Sequence, residues 1–234
     1  VWEDDDVSVD GLAEAVRRLH ERGADDRSVA VFTDYYHQLE SGALGTIPEA
    51  SIEPLVDLPR LDAVEASEAD RAAALRQVAV IKLNGGLGTS MGLAGPKSAL
   101  SVRDGLTFLD VIARQVLALR QQYAAALPVV FMNSFRTAEQ TQAVLAAYPD
   151  LPVRGLPLGF LQSAEPKLRA DDLTPVDWPT HPELEWCPPG HGDVYLSLAR
   201  TGLLDALRDI GIRYAFLSNA DNLGATCDPD IAAW

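Results

Sequence analysis

The spacing of apolar residues predicts two amphipathic helices at the start of the chain. Apolar side chains recur every three to four positions over residues 11–22, with Asp10 as the expected N-cap, and again over residues 28–39. Residues 46–61 contain three prolines and predict an extended linker. The beginning of the chain is therefore predicted to be a helical segment followed by an extended linker.

Beyond the linker, short apolar runs alternate with helical patterns. The runs at 78–83, 128–132 and 213–217 are bounded by polar residues and predict buried strands of a parallel sheet. Helical patterns cover 67–77, 107–123, 137–148 and 194–198, and residues 152–178 are predicted to be irregular. This alternation is typical of a doubly wound α/β domain with a mostly parallel sheet, in which ligands bind beyond the carboxyl ends of the strands.

Polar residues at the predicted helix starts suggest specific caps. Thr107 and Asp110 form a capping-box pattern with Asp in place of the commoner Glu or Gln, and Thr137 with Gln140 forms a second. Asp193 is the expected cap of the helix that begins at residue 194.

Composition excludes several classes of partner. The chain has 234 residues and a formal net charge of −15, so we expect neither nucleic acid nor a membrane surface as a partner. No apolar run approaches membrane-span length, and the two cysteines lack metal-ligand spacing, which favours free thiols in the cytoplasm. Because the chain starts without methionine and stops shortly after a strong motif, we expect it to be part of a longer protein.

A glycine-rich loop follows the first predicted strand. Its glycines are Gly85, Gly86, Gly88, Gly92 and Gly95, and it closes on Pro96, Lys97 and Ser98. Glycines at this density let backbone N–H groups approach an anion, and Lys97 adds a positive charge for a phosphate. The loop therefore predicts a phosphate site, the alternative being a tight turn.

Two well-known phosphate loops do not match. The P-loop motif is excluded because Pro96 separates Gly95 from Lys97, and the dinucleotide fingerprint because Met91 stands where its third glycine belongs. A nicotinamide-dependent dehydrogenase also needs an acidic residue about twenty positions further on. Asp104 lies near that distance, but the loop is wrong for this class.

Three further residues are candidates for binding. Gln162 lies in the irregular segment, His191 stands between two glycines after a double proline, and Asp221 follows the last predicted strand. A carboxamide suits a pyrimidine edge, and a carboxylate beyond a parallel strand suits Mg²⁺. On residue type alone, a solvated Gln162 and a turn or cap role for Asp221 remain open.

Four segments together resemble one enzyme family. NGGLGTSMG with GPKS, LGFLQSAEPKL, WCPPGHGDVYLSL and SNADNLGA occur in order and resemble motifs of eukaryotic-type UTP–glucose-1-phosphate uridylyltransferases, also called UDP-glucose pyrophosphorylases. The chain departs from the family at Leu93-Ala94, where members commonly carry Cys-Lys, and keeps Lys97. The resemblance implies a nucleotide-diphospho-sugar transferase (GT-A-like) fold. We expect a helical segment over 1–45, a linker over 46–66 and the catalytic α/β domain over 67–234.

The resemblance also implies a reaction and the residues that serve it. UTP and glucose 1-phosphate would give UDP-glucose and pyrophosphate, with Mg²⁺ on Asp221 and with Lys97 and Asp221 as catalytic residues. The nucleotide-binding residues implied are Leu83, Asn84, Gly85, Gly86, Lys97, Gln162, Gly190 and Asp221. Those implied for the sugar phosphate are Gly85, Gly86, His191, Asn219, Ala220 and Asp221.

Family members continue beyond the region matched here. The resemblance implies a further catalytic lysine downstream and a C-terminal β-helix domain through which homo-oligomers form. This chain alone could therefore be a uridine-nucleotide-binding fragment without turnover. A UDP-N-acetylhexosamine pyrophosphorylase is another alternative, although that family usually has Arg-Leu where Ser90-Met91 stand.

Overall fold

The computed structural model describes residues 5–43, 45–87 and 95–234. The helices are α1 (Asp5–Glu21), α2 (Asp26–Glu40), α3 (Glu68–Leu75), α4 (Phe108–Tyr123), α5 (Ala138–Leu145), α6 (Val194–Arg200), α7 (Leu203–Asp209) and α8 (Pro229–Ala233). The strands are β1 (Val78–Asn84), β2 (Ser101–Arg103), β3 (Leu106–Thr107), β4 (Val129–Asn133), β5 (Gly159–Leu161), β6 (Glu165–Pro166), β7 (Trp186–Cys187) and β8 (Tyr214–Asn219). No helix in the described ranges has the length and apolar character that crossing a membrane requires.

Contacts divide the described residues into two compact units. The first contains residues up to Leu58 together with Ser163–Pro189, and the second contains Pro59–Gln162 together with Gly190–Trp234. The predicted catalytic domain over 67–234 includes residues 163–189, whereas the contacts group these residues with the first unit. The domain boundaries themselves stay a prediction.

The first unit is built on α1 and α2. Ala15 and Leu19 of α1 pack against Phe32 and Tyr36 of α2, and β6 pairs with β7 in an antiparallel ribbon. Helix α1 begins at Asp5, so the prediction of Asp10 as its N-cap is wrong. Periodic apolar residues mark only the packed part of a helix, and its first turns leave no such signal.

The second unit contains a parallel sheet in the order β5-β4-β1-β8. Val78 and Val80 of β1 face a core formed with α3, α4 and α5, whereas Ala79 and Ile81 face a core formed with α6 and α7. Helices on both faces explain why β1 is a nearly continuous apolar run. The predicted doubly wound α/β class is confirmed.

Strand β5 corrects the prediction that 152–178 is irregular. It has three residues and pairs in parallel with β4, Met132 lying opposite Phe160. So short a strand has no readable alternation, and only pairing with β4 defines it. Its consequence is that Gln162 directly follows a strand of the central sheet.

Of the three other predicted caps, one is confirmed and two are wrong. The Thr107–Asp110 capping box opens α4 as predicted. Thr137 makes no capping bond to α5, because its hydroxyl donates to the Asn84 carbonyl at 2.8 Å. Asp193 makes none to α6 and accepts instead from the Ser197 hydroxyl at 2.6 Å.

Candidate functional site

The carboxyl ends of β1 and β8 meet where the chain reverses its direction across the sheet. From β1 the chain continues to β4 and β5 on one side, and it returns to β8 on the other. Leu83 of β1 pairs with Asn219 of β8, and the Ala220 N–H donates to the Leu83 carbonyl at 2.9 Å. Ligands of open α/β sheets bind at such a switch point. The fold therefore brings Leu83, Asn219 and Ala220 together there.

The two ends of the glycine-rich loop lie side by side. The Lys97 N–H donates to the Gly86 carbonyl at 3.3 Å, and Leu87 forms an isolated antiparallel β-bridge with Pro96. Lys97 is therefore held next to the end of β1, as a phosphate-binding role requires. Residues 88–94, with Gly88, Gly92 and the Leu93-Ala94 departure, lie outside the described residues, and their roles stay predictions.

Asn84 holds the base of this loop through its buried side chain. Its amide donates to Asn133 Oδ1 at 2.7 Å and to Thr141 Oγ1 at 2.8 Å, and its Oδ1 accepts from Ser98 Oγ at 2.5 Å. Both amide hydrogens are thus engaged, and the side chain is only 4% exposed. The predicted nucleotide contact of Asn84 stays a prediction, and this network favours its backbone for that role.

Gly85 and Gln162 are in direct contact. Gln162 is 6% exposed, and its backbone N–H donates to the Asn133 carbonyl at 2.9 Å. A Cβ added at Gly85 would overlap the carboxamide nitrogen of Gln162, whereas one added at Gly86 would meet none of the described residues within 4 Å. Among residues 5–43, 45–87 and 95–234, no hydrogen bond to the Gln162 carboxamide is found, and a carboxamide can offer a ligand both a donor and an acceptor.

Lys97 and Asp221 place opposite charges at the same edge of the sheet. The Lys97 Nζ lies 3.9 Å from Asp221 Oδ2, and the two side chains are 39% and 40% exposed. Exposed pairs of this kind contribute little to stability, so both groups are available to exchange partners. The arrangement can engage a phosphate and a cation at once.

The charges of Lys97 and Asp221 suit Mg²⁺ that binds together with a phosphate ligand. No cluster of three or more His, Cys, Asp or Glu side chains suited to a metal occurs among the described residues. Mg²⁺ is commonly bound through one or two carboxylates plus substrate phosphates and water. Asp221 alone therefore fits a nucleotide-bound ion better than a permanently held one.

Gly190 and His191 lie at the start of α6. Gly190 has φ +114°, a conformation that favours glycine, and His191 opens a 3-10 turn over His191–Asp193. Helix α6 packs on β5, which ends immediately before Gln162. His191 is exposed, and no hydrogen bond of its ring with another predicted site residue is found in the described part of the chain.

One charged residue beneath the site is not among the predicted site residues. Lys82 lies within the apolar run of β1, yet its side chain is buried and contacts Ser218 and Ala225. The available signal was a lysine in a strand that is buried on both faces, because lysine is almost never fully buried without a partner.

Comparison with known proteins establishes the family. The model described as UTP–glucose-1-phosphate uridylyltransferase matches residues 29–234. The chain belongs to this family. The uridylyltransferase of Musa acuminata is 37% identical over 231 residues, covering 95% of this chain and 48% of its own. That of Solanum tuberosum is 41% identical over 177 residues, covering 75% of this chain and 37% of its own.

Solved structures of uridylyltransferases agree with the fold. A UDP-glucose phosphorylase from Trypanosoma brucei superimposes with a TM-score of 0.86 at 42% identity, covering 95% of this chain and 47% of that one. A UDP-glucose pyrophosphorylase variant from Leishmania major in complex with UDP-glucose gives 0.84 at 39% identity, covering 95% and 46%. This member of the family spans about half the length of the relatives it matches.

Proposed function

We propose that this protein forms UDP-glucose and pyrophosphate from UTP and glucose 1-phosphate. The proposal rests on one observation above all. The Gly85–Gln162 contact and the Lys97–Asp221 pair, two residue sets predicted to bind the same nucleotide, both lie at the carboxyl ends of the central strands. Family membership supports the reaction class.

The uracil base is assigned to Gln162. Its carboxamide offers a donor and an acceptor side by side and matches the N–H and C=O of a pyrimidine edge. Gly85 lets this carboxamide lie directly over the end of β1. Backbone groups of Leu83 to Gly86 complete the nucleotide contacts.

The phosphates are assigned to Lys97 and Asp221. A triphosphate entering near both side chains gives Lys97 an anionic partner and leaves Asp221 to hold Mg²⁺, which neutralises phosphate charge when bound. The net charge of −15 makes this local positive charge necessary, since the protein as a whole repels anions.

The chemistry needs no protein nucleophile. A phosphate oxygen of glucose 1-phosphate attacks the α-phosphorus of UTP in line, and pyrophosphate leaves with the electron pair of the broken P–O bond. Catalysis then comes from alignment and from stabilising charge on the phosphates. Gly190 and His191 are assigned to phosphate groups, and Asn219 and Ala220 to the sugar.

A second candidate function is uridine-nucleotide binding without turnover. The comparisons do not favour it, because the matching family and the relatives are named for the transferase. The UDP-N-acetylhexosamine alternative is not favoured, because the matching family and relatives are named for the glucose 1-phosphate enzyme.

Calorimetric titration with UTP and Mg²⁺ tests the nucleotide site, with ATP as the control ligand. We expect selective UTP binding that Gln162→Ala weakens and Lys97→Ala nearly abolishes, both variants remaining folded. Equal affinity for ATP, or unchanged UTP affinity in Lys97→Ala, would contradict the assignments.

Pyrophosphate release with glucose 1-phosphate then separates the two functions. Release identifies the transferase, and selective UTP binding without release identifies the nucleotide-binding function. N-acetylglucosamine 1-phosphate serves as the competing sugar phosphate.

Location and assembly belong to the same proposal. A cytoplasmic location is supported by Cys187 and Cys227, neither of which forms a disulfide. Homo-oligomer formation through a C-terminal domain rests on the family resemblance alone.

A further inference from the structure

Lys82 is a buried ammonium below the candidate site. Its side chain is 2% exposed, and its Nζ donates to Ser218 Oγ at 2.8 Å and to the Ala225 carbonyl at 2.9 Å. The Phe216 ring centroid lies 5.8 Å from Nζ, and the Cys227 thiol is a neighbour. Within the described residues, both hydrogen-bond partners of Lys82 are neutral, and no ion pair with a carboxylate is found.

The two partners of Lys82 stand at the two ends of one loop. Ser218 lies near the end of β8, and Ala225 follows the turn that contains Asp221. Two backbone hydrogen bonds within the loop are long: the Asn222 nitrogen lies 3.3 Å from the Asn219 carbonyl oxygen, and the Ala225 nitrogen lies 3.4 Å from that of Asn222. A third bond, from the Gly224 N–H to Asn222 Oδ1, measures 3.1 Å. The charge-assisted bonds from Lys82 are shorter, and such bonds are stronger than neutral ones.

Burying the charged ammonium group of Lys82 lowers the stability of the folded protein. Burial lowers the pKa of Lys82 to about 8, and burial also raises the pKa of the neighbouring Cys227 thiol to about 11. Replacing a buried charge by an apolar side chain of similar volume is often neutral or stabilising. The contribution of Lys82 to fold stability therefore does not explain why a lysine occupies this buried position, and its contacts with the loop explain it better.

We propose that Lys82 is a positioning residue that joins Ser218 to Ala225 and thereby fixes loop 219–224, so that Asp221 faces Lys97. Lys82 itself does not touch the substrates. The link to nucleotide binding rests on the function proposed above, whereas the ordering of the loop does not.

Amide hydrogen exchange of the ligand-free protein tests the ordering directly. Lys82→Met removes both hydrogen bonds, so we expect residues 219–226 to exchange more than about tenfold faster, tenfold being the factor for one lost hydrogen bond to a charged group, with 129–133 of β4 unchanged. Ser218→Ala removes one of the two contacts and should give a smaller increase at the same residues. Lys167→Met, which changes an exposed lysine of the other unit, is the matched control.

Loop exchange that stays at the wild-type rate in folded Lys82→Met overturns the proposal. Should that variant not fold, Ser218→Ala decides, and wild-type exchange in Ser218→Ala is then the contradicting result. Acceleration spread evenly over the sheet also contradicts it, because it indicates general destabilisation.

A double-mutant cycle with Asp221→Asn tests the link to binding. If Lys82 acts through Asp221, Lys82→Met weakens Mg²⁺-dependent UTP affinity about tenfold in the wild-type background and hardly at all in Asp221→Asn. Additive losses contradict the proposal. If the wild-type chain binds no UTP, the proposed function fails, while hydrogen exchange still decides the role of Lys82.

Discussion

Gly85→Ala is the sharpest perturbation of the candidate base site. Gly85 does not have a positive φ, so an alanine can adopt its backbone conformation. The added methyl group would instead overlap the carboxamide of Gln162, which is the mobile end of a side chain. The fold should therefore tolerate the change, with stability altered by no more than about 1 kcal/mol.

The expected loss of affinity follows from displacing that carboxamide. If Gln162 makes two hydrogen bonds to the base, each worth about 1 kcal/mol, moving it away costs about 2 kcal/mol. The dissociation constant for UTP should then rise about 30-fold. Inorganic triphosphate has no base, so its affinity should change little.

Calorimetry with UTP and with triphosphate, both with Mg²⁺, measures this difference. Gly45→Ala is the control, because Gly45 lies outside the candidate site, does not have a positive φ, and its added methyl group would meet no described residue within 4 Å. The decisive comparison is the double variant Gly85→Ala/Gln162→Ala. It should bind UTP no more weakly than Gln162→Ala alone, because both changes remove the same contacts. Additive losses, or an equal fall in triphosphate affinity, would refute the reasoning.

Other predictions concern stability and reactivity. Asn84→Ala should lower the free energy of unfolding by about 3 kcal/mol, measured by urea denaturation, because three buried hydrogen bonds are lost; a loss below about 1 kcal/mol would contradict the network. Labelling of the native protein with a thiol reagent at pH 7 should modify half-buried Cys187 and spare Cys227, whose pKa is raised to about 11 by burial, until the protein unfolds. Because burial lowers the pKa of Lys82 from 10.5 to about 8, the unfolded state binds more protons between these values. The free energy of unfolding should therefore rise by about 2 kcal/mol from pH 7 to 10 relative to Lys82→Met, and a parallel pH dependence of the two proteins would argue against it.

Local sequence patterns predicted the elements whose signals are long or chemically specific. The apolar run of β1 and the Thr107–Asp110 box of α4 appear as expected, because each rests on neighbouring residues. Thr137 shows the limit of such patterns. The same hydroxyl that could cap α5 donates instead to Asn84, fifty-three positions earlier in the chain.

The sequence by itself determined the family, the α/β class and the identity of the candidate site residues, because glycine-rich and polar motifs keep a readable local order. Only the tertiary structure decided how those residues meet. Strand pairing placed Gln162 against Gly85, loop closure placed Lys97 beside Asp221, and burial gave Lys82 a role below the site. Each of these depends on contacts between residues far apart in the chain, which no local pattern contains.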